Sequence, residues 1–201
     1  MFALVESGSI TKMLNGNRGI QIGDLKYPRA IYTLWTEAER NAIGIYTVEY
    51  DDSNKKDEKW YINTDQSYAF ADNKVTGSYG SATAKSHADT LYTAQDETDG
   101  LGTEGDVRTE GLKTILIRQV KNDAERELNK TDWYVTRKAE KNTAIPSAIT
   151  THRDAVRTKQ ASMETAITNA SDTPALETLY TYTRQEDGST TRPLGEIPEL
   201  N

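Results

Sequence analysis

The chain has 201 residues, of which 35% are hydrophobic and 27% are charged, and its formal net charge is −7 at pH 7. A hydrophobic share below the roughly 45–50% of average globular proteins (a figure that includes glycine) predicts small cores rather than one large core. The acidic charge argues against general binding to nucleic acid or to anionic membranes, because both require a basic surface.

Residues 1–80 are predicted to form a small antiparallel β unit with one short helix. The opening residues MFALVESGSITKML lack the basic and apolar regions of a signal peptide, so we expect a soluble protein made in the cytoplasm. Residues 2–5 read as a strand. The Thr36-Glu37-Ala38-Glu39 pattern is that of a capping box, and Gly44 fits a helix C-terminus, which together predict a helix over residues 36–43.

Two β-hairpins are expected after this helix. Residues 45–50 are mostly β-branched or aromatic and place Tyr46, Val48 and Tyr50 on one face of a strand, and residues 60–62 resume a strand after a polar tip. The second hairpin runs from residues 68–70 to residues 75–79. The tyrosines in these strands could form a binding face of the sheet or fill a small core, and the sequence leaves this open. They are Tyr46, Tyr50, Tyr61, Tyr68 and Tyr79.

The pattern changes after residue 80. Residues 81–111 are rich in glycine and acidic residues and predict a flexible connector with one short helix near its start. Residues 112–181 show helical periodicity and predict a helical hairpin or bundle. Its helices are expected to begin at Leu112, Thr131, Ser147 and Thr173. Residues 182–201 have no periodicity and predict an extended tail. The fold class is therefore α+β.

No enzymatic, metal or cofactor site is predicted. The chain has no cysteine and only two histidines, His87 and His152, which excludes disulfides, thiolate metal sites and histidine-rich metal sites. His152 has no nucleophile specified beside it, as a general base would need. A hydrolase would need paired carboxylates with a raised pKa, and no acidic residue sits in a context that favours one.

The residues singled out for contact with other proteins lie in the helical unit and the tail. Trp133 could be a binding epitope or could pack beneath the long helix, and a tryptophan is usually mostly buried. The charged residues nearby could line a groove for an acidic partner or form ion pairs within the hairpin. Three apolar tail residues are expected to anchor the tail on a partner or a second copy. The candidates are Trp133, Arg137, Glu140, Arg153, Arg157, Leu194, Ile197 and Leu200.

Three segments together resemble a group of bacteriophage tail-region proteins of marine and cyanobacterial phages, related in pattern to tail-fibre assembly proteins. They are YPRAIYTLWTEAERNAIGIYTVEYDD, LKTILIRQVKNDAERELNKTDWYVTRKAEKNTAIPSAITTHRDAVRTKQASMETAI and DTPALETLYTY. The resemblance covers most of the chain outside residues 80–111 and the tail. Its most specific part, TDWYVTRKAE…IP…HRDAVR, carries Thr131, Asp132, Trp133, Arg137, Glu140, Pro146, Arg153 and Arg157.

The resemblance implies non-catalytic work at the phage tail, in the virion, after synthesis in the host cytoplasm. The expected partners are other tail or tail-fibre proteins, with a second copy of the chain as a further candidate. Two roles stay open: a structural adaptor in the tail, or a fibre assembly chaperone absent from the mature virion. The chaperones of this kind end in a segment rich in tryptophan and proline. Here RPLGEIPEL contains prolines but no tryptophan, which favours the structural role.

Overall fold

The computed structural model describes residues 1–200, and the chain divides into two compact units, Met1–Thr83 and Ala84–Asn201. The first unit is rich in strands and the second is mainly helical, which confirms the predicted α+β class. Within residues 1–200, no helix is both long enough and apolar enough to cross a membrane.

The first unit contains eight strands and two short helices. The strands are β1 (Phe2–Glu6), β2 (Ser9–Leu14), β3 (Ile20–Ile22), β4 (Leu25–Tyr27), β5 (Ile45–Asp51), β6 (Tyr61–Ile62), β7 (Ser67–Ala71) and β8 (Lys74–Ser78). The helices are α1 (Ile31–Leu34) and α2 (Glu37–Ala42), so the expectation of a single helix was wrong. The predicted capping box of α2 is confirmed, because Thr36 accepts from the Glu39 amide while the Glu39 carboxylate accepts from the Thr36 amide.

Five of these strands form one sheet in the order β2-β1-β5-β8-β7. Strands β5 and β8 are parallel, whereas the other pairs in this sheet are antiparallel, so the sheet is not purely antiparallel as expected. The predicted hairpin between β5 and β6 is also wrong, since β5 pairs with β1 and β8 instead. The second predicted hairpin is confirmed as β7–β8. Its two-residue turn, Asp72-Asn73, has positive φ at both positions, as a type I′ turn requires.

Both faces of this sheet carry a small apolar cluster, because successive side chains of a strand point to opposite faces. One cluster packs α1 and β3 against the sheet and is made of Leu4, Leu14, Ile20, Ile31, Tyr32 and Ile45. The other lies on the opposite face and is made of Ala3, Val5, Val48 and Val75. Tyr46 and Tyr68 pack against the second cluster, whereas Tyr50 is exposed, so the strand tyrosines have no common role.

The second unit contains five helices and four short strands, and a further strand, β9 (Thr83–Ala84), falls where the two units meet in the sequence. The strands are β10 (Thr90–Leu91), β11 (Val107–Thr109), β12 (Thr183–Arg184) and β13 (Thr190–Thr191). The helices are α3 (Ala94–Thr98), α4 (Leu112–Asn129), α5 (Asp132–Lys141), α6 (Ser147–Asn169) and α7 (Thr173–Tyr180).

The core of the second unit lies between α4, α6 and α7. The helical periodicity predicts an apolar stripe on each of α4 and α6, and both face this core. Buried are Leu112, Leu116, Val120 and Ala124 of α4 and Ile149, Val156, Met163 and Ile167 of α6, while Leu128, the last residue of the predicted α4 stripe, is half-buried. Helix α7 adds the fully buried Leu176. Its Asp172 cap accepts from the Ala175 amide, and Pro174 lies in the first turn, as the sequence predicts.

Residues 81–111 contain more structure than a connector was expected to have. Strands β10 and β11 pair antiparallel, and α3 carries its own capping box, in which Thr93 and Asp96 satisfy each other's backbone amides. The short helix, predicted at about residues 83–94, lies instead at Ala94–Thr98. From Ala84 onward this segment belongs to the second unit, and the backbone oxygens of Ser86 and His87 accept from the amides of Leu112 and Lys113 at the start of α4.

The tail is also structured within its own unit. Strands β12 and β13 form a hairpin, and the segment that follows it returns to the helices. Leu194 is only 3% exposed, its amide donates to the backbone oxygen of Leu179, and its own carbonyl oxygen accepts from Lys159 Nζ at 2.7 Å. The expectation that this tail needs a partner for its order does not fit these contacts.

Candidate functional site around helix α5

Helix α5 is held at its N-terminus by a buried arginine from α6. The Nη1 atom of Arg153 lies 2.8 Å from the carbonyl oxygen of Leu128, 2.7 Å from Thr131 Oγ1 and 2.8 Å from Asp132 Oδ1. The Thr131 hydroxyl in turn donates to Leu128 O. One guanidinium therefore adds a charged donor to the Leu128 carbonyl oxygen, at the end of α4, and also fixes the first residues of α5.

Arg153 was expected on a partner-binding surface, and the structure contradicts this. Its side chain is buried, with 8% of the residue exposed, and its identified polar contacts lie within the second unit. Thr131 is fully buried beside it. Thus Thr131, Asp132 and Arg153 of this sequence pattern hold the helical hairpin together.

A second polar cluster surrounds Glu127, whose residue is 5% exposed. Its carboxylate accepts from Lys130 Nζ at 2.5 Å, contacts His152 Nε2 at 3.1 Å and accepts from the amide of Leu200 at 2.8 Å. The hydrogen bond from Lys130 is the main cause that lowers the pKa of Glu127. His152 thus sits against a carboxylate. Within residues 1–200, no group of three or more metal-ligating side chains is arranged to hold an ion.

The outer surface of α5 is the exposed part of this region. None of its ten residues is buried, although the helix contains a tryptophan, a tyrosine and a valine. Trp133 is 52% exposed, so the interpretation that it packs beneath the long helix was wrong. The Arg137 guanidinium lies 4.5 Å from the centre of the Trp133 ring and 5.3 Å from that of Tyr134. Trp133 and Tyr134 also stack on each other.

The remaining charged candidates do not form one groove. Glu140 is exposed, and no ion pair is identified for it in the described part of the chain. Arg157 is exposed and pairs with Asp154 at 3.5 Å along its own helix, a geometry that contributes little to stability. The guanidinium of Arg137 packs on the rings of Trp133 and Tyr134. Of the residues expected to bind a partner, the exposed Trp133 and the half-buried Arg137 are in direct contact with each other.

The three tail candidates differ in the same way. Leu194 is buried and cannot contact a partner, whereas Ile197 is half-buried. The side chain of Leu200 is exposed, and its backbone amide donates to the Glu127 carboxylate. Sequence reasoning missed the residues that fix this segment. Arg192 lies over the rings of Tyr180 and Tyr182 and pairs with Glu196 at 2.6 Å. Burial raises the pKa of Tyr180 to about 12.

Comparisons of this chain with protein-family models, with curated proteins and with solved structures found no match.

Proposed function

We propose that this chain is a non-enzymatic structural or adaptor protein of a bacteriophage tail or tail-fibre module, and that it acts through protein–protein contacts in the virion. The observation that carries the proposal is the surface of α5, where an exposed tryptophan is stacked with an arginine on a helix that buries none of its residues. Tryptophan, tyrosine and arginine are the residue types enriched where interfaces concentrate their binding energy.

The architecture around α5 supports the same role. Arg153 and Thr131 fix the start of the helix, so Trp133 is presented from a defined position rather than from a loose loop. A side chain that is already ordered loses less conformational entropy on binding. The resemblance to phage tail-region proteins supports the proposal further. Thr131 and Arg153, which fix the start of α5, and Trp133, which α5 exposes, all belong to the sequence pattern that carries this resemblance.

The electrostatics of the carboxyl groups support the non-enzymatic part of the proposal. Hydrogen bonds lower the pKa of Glu39, Asp96, Glu110 and Glu127 below the usual values. A glycoside hydrolase needs the opposite, a carboxylic acid with a raised pKa close to a second carboxylate. A clearing band from the purified chain on a peptidoglycan or polysaccharide zymogram would contradict this part.

The experiment that tests the proposal is a pull-down from phage-infected cells with the tagged chain, followed by identification of captured proteins by mass spectrometry. The wild type and the Arg157→Ala control are expected to capture a tail or tail-fibre protein, and Trp133→Ala is expected to lose it. Capture that is unchanged by Trp133→Ala would place the binding surface elsewhere.

Mass spectrometry of purified virions separates the two roles. A constant, stoichiometric amount of the chain in virions supports the adaptor. Its absence from virions, together with capture of a fibre protein in the pull-down, would replace the adaptor by an assembly chaperone.

A further inference from the structure

The exposed side of α5 carries cations without opposing anions. Residues four apart lie above one another on a helix, which places Trp133, Arg137 and Lys141 in one row and Tyr134 and Lys138 in the row beside it. These five residues are called the basic row. No ion pair is identified for Arg137, Lys138 or Lys141 within residues 1–200, and Lys138 Nζ donates only to the side chain of Asn142. Glu140 borders this surface.

A surface of the opposite kind lies elsewhere in the same unit, at the end of α3 and in the loop between α3 and β11. It displays four carboxylates for which no ion pair is identified in the described chain, and its apolar residue Leu101 is 57% exposed. The carboxylates are those of Glu97, Asp99, Glu104 and Asp106. This set, with Leu101, is called the acidic loop.

The acidic loop has a defined shape. At its base, Asp96 caps α3 and pairs with Arg108 at 3.2 Å. Within it, the Glu104 amide donates to the Glu97 carboxylate, and Gly100 and Gly105 adopt the positive φ that its turns need. A loop that is already ordered loses little entropy when it binds.

We propose that the basic row of one copy of this chain binds the acidic loop of a second copy. Three unpaired cations face unpaired carboxylates, and the exposed Leu101 meets the exposed ring of Trp133. Within one copy, no hydrogen bond or ion pair among residues 1–200 is identified between the two surfaces, so both stay available. The inference rests on the proposed function in that it names a second copy as a partner of the α5 surface.

The two surfaces are different patches of one molecule, so the contact is head-to-tail. Contacts of this type close into rings when the rotation between copies allows it, and otherwise form open chains. One helix face and one loop form a small interface, and interfaces at the small end of the range bind weakly. The self-association is therefore expected to depend on protein concentration and to weaken in about 1 M salt, where the Debye length falls to about 3 Å.

The test is the molecular mass of the full chain in solution, measured by sedimentation over a range of protein concentrations at low ionic strength. The wild type is expected to exceed the monomer mass as concentration rises. Two charge-reversal variants, Lys138→Glu/Lys141→Glu in the basic row and Glu104→Lys/Asp106→Lys in the acidic loop, are each expected to associate at least about tenfold more weakly, since like charges then face each other.

Mixing the two variants provides the specific readout. In an equimolar mixture each reversed surface finds a complementary one on the other variant, so association is expected to return. The control is Glu125→Lys/Glu186→Lys, which changes the net charge by as much as the loop variant does at exposed positions outside both surfaces, and it should associate like the wild type. Circular dichroism of each variant establishes that it is folded.

A wild type that stays monomeric at every concentration overturns the inference, as does association that the reversals leave unchanged. Reversals that both abolish association while their mixture stays monomeric overturn it as well, because the two surfaces then do not contact each other. If the chain is monomeric but is found in virions and captures a tail protein, only the inference of self-association is overturned. The proposed function then stands without it.

Discussion

Arg153 and Arg157 lie one turn apart on α6 and belong to the same sequence pattern, yet their environments are opposite. Arg153 is buried against the end of α4, whereas Arg157 is exposed and pairs along its own helix. Sequence periodicity identifies a face of α6 but does not say that the carbonyl oxygen of Leu128 faces Arg153. The burial of Arg153 therefore could not be predicted from residue types alone.

Arg153→Ala is expected to destabilise the second unit by about 1.5–3 kcal/mol, the range for hydrogen bonds that involve a charged group. Arg157→Ala is the matched control and should change the free energy of unfolding by less than about 0.5 kcal/mol, as for most exposed positions. Urea denaturation of the full chain, followed by far-ultraviolet circular dichroism, measures both. Equal losses in the two variants would contradict the assigned difference.

Trp133→Ala is expected to cost only about 1 kcal/mol, because the side chain is half exposed and its cation–π contact with Arg137 contributes about 0.5–1 kcal/mol at such sites. The fully buried Leu116 in the same unit gives the contrast, since Leu116→Ala should cost about 2–5 kcal/mol. The same denaturation measurements compare them. If Trp133→Ala lowered the free energy of unfolding by about 3–5 kcal/mol, as is typical of a buried tryptophan, Trp133 would be a core residue and not part of an exposed surface.

Glu127 makes the stability of the second unit depend on pH. Its pKa is lowered from the ordinary value of 4.5, chiefly by the hydrogen bond from Lys130. A lowered carboxyl pKa gives a stabilisation that is complete above the ordinary value and is lost as the pH falls through the lowered one. The stability difference between wild type and Glu127→Gln should therefore be present at about pH 5 and shrink as the pH falls. A difference that does not change over this range would exclude a titrating role.

At the scale of elements, sequence patterns over a few residues correctly predicted the features that depend on nearby residues. The α2 capping box, the β7–β8 turn and the apolar stripes of α4 and α6 each depend on neighbours within a few residues, and all are confirmed. The pairing of β5 with β1 and β8 depends on partners far along the chain. Alternation within β5 predicts a strand but cannot name its neighbours, which explains the wrong hairpin with β6.

The start of α4 shows a similar limit. Gly111, at the N-cap position, has no side chain, so groups from earlier in the chain cap α4. The carbonyl oxygens of Ser86 and His87 accept from the first two helical amides, and the Asp89 carboxylate accepts from the Gly111 amide at 2.6 Å and from the Thr114 hydroxyl at 2.8 Å. A Cβ at Gly111 would lie 2.3 Å from the backbone carbon of Ala88, so this close approach requires glycine. Nothing near residue 111 in the sequence indicates a cap that lies 22 residues earlier.

Asp89→Ala is accordingly expected to destabilise the second unit by about 1 kcal/mol or more, because it removes the acceptor of two hydrogen bonds at the start of α4. Asp154→Ala, which removes an exposed carboxylate from α6, is the control and should stay within about 0.5 kcal/mol of wild type. Thermal denaturation compares the two variants. If Asp89→Ala and the control unfold at the same midpoint temperature, the Asp89 carboxylate does not stabilise the start of α4.

At the scale of the whole molecule, the low hydrophobic content did predict small cores. The first unit has two clusters on the faces of one sheet, and the second buries apolar side chains of α4, α6 and α7. The composition also suggested that the tail could not fold without a partner. That inference treated the tail as an isolated peptide, whereas Leu194 needs only the space left beside α6 and α7. One buried side chain and two hydrogen bonds of its backbone groups barely change the amino-acid composition of the tail, so the composition could not predict that the tail is ordered.

Leu194 and Leu200 offer a matched pair for testing this segment, because one is buried and the other is exposed. Leu194→Ala is expected to cost about 2–5 kcal/mol, as for other buried leucines, and Leu200→Ala less than about 1 kcal/mol. In hydrogen exchange of the free chain, the Leu194 amide, bonded to Leu179, should be protected, while the exposed turn at 186–188 should exchange rapidly. Equal costs together with an unprotected Leu194 amide would mean that the segment is loose in the free protein. It would then be open to a partner, as its composition alone had indicated.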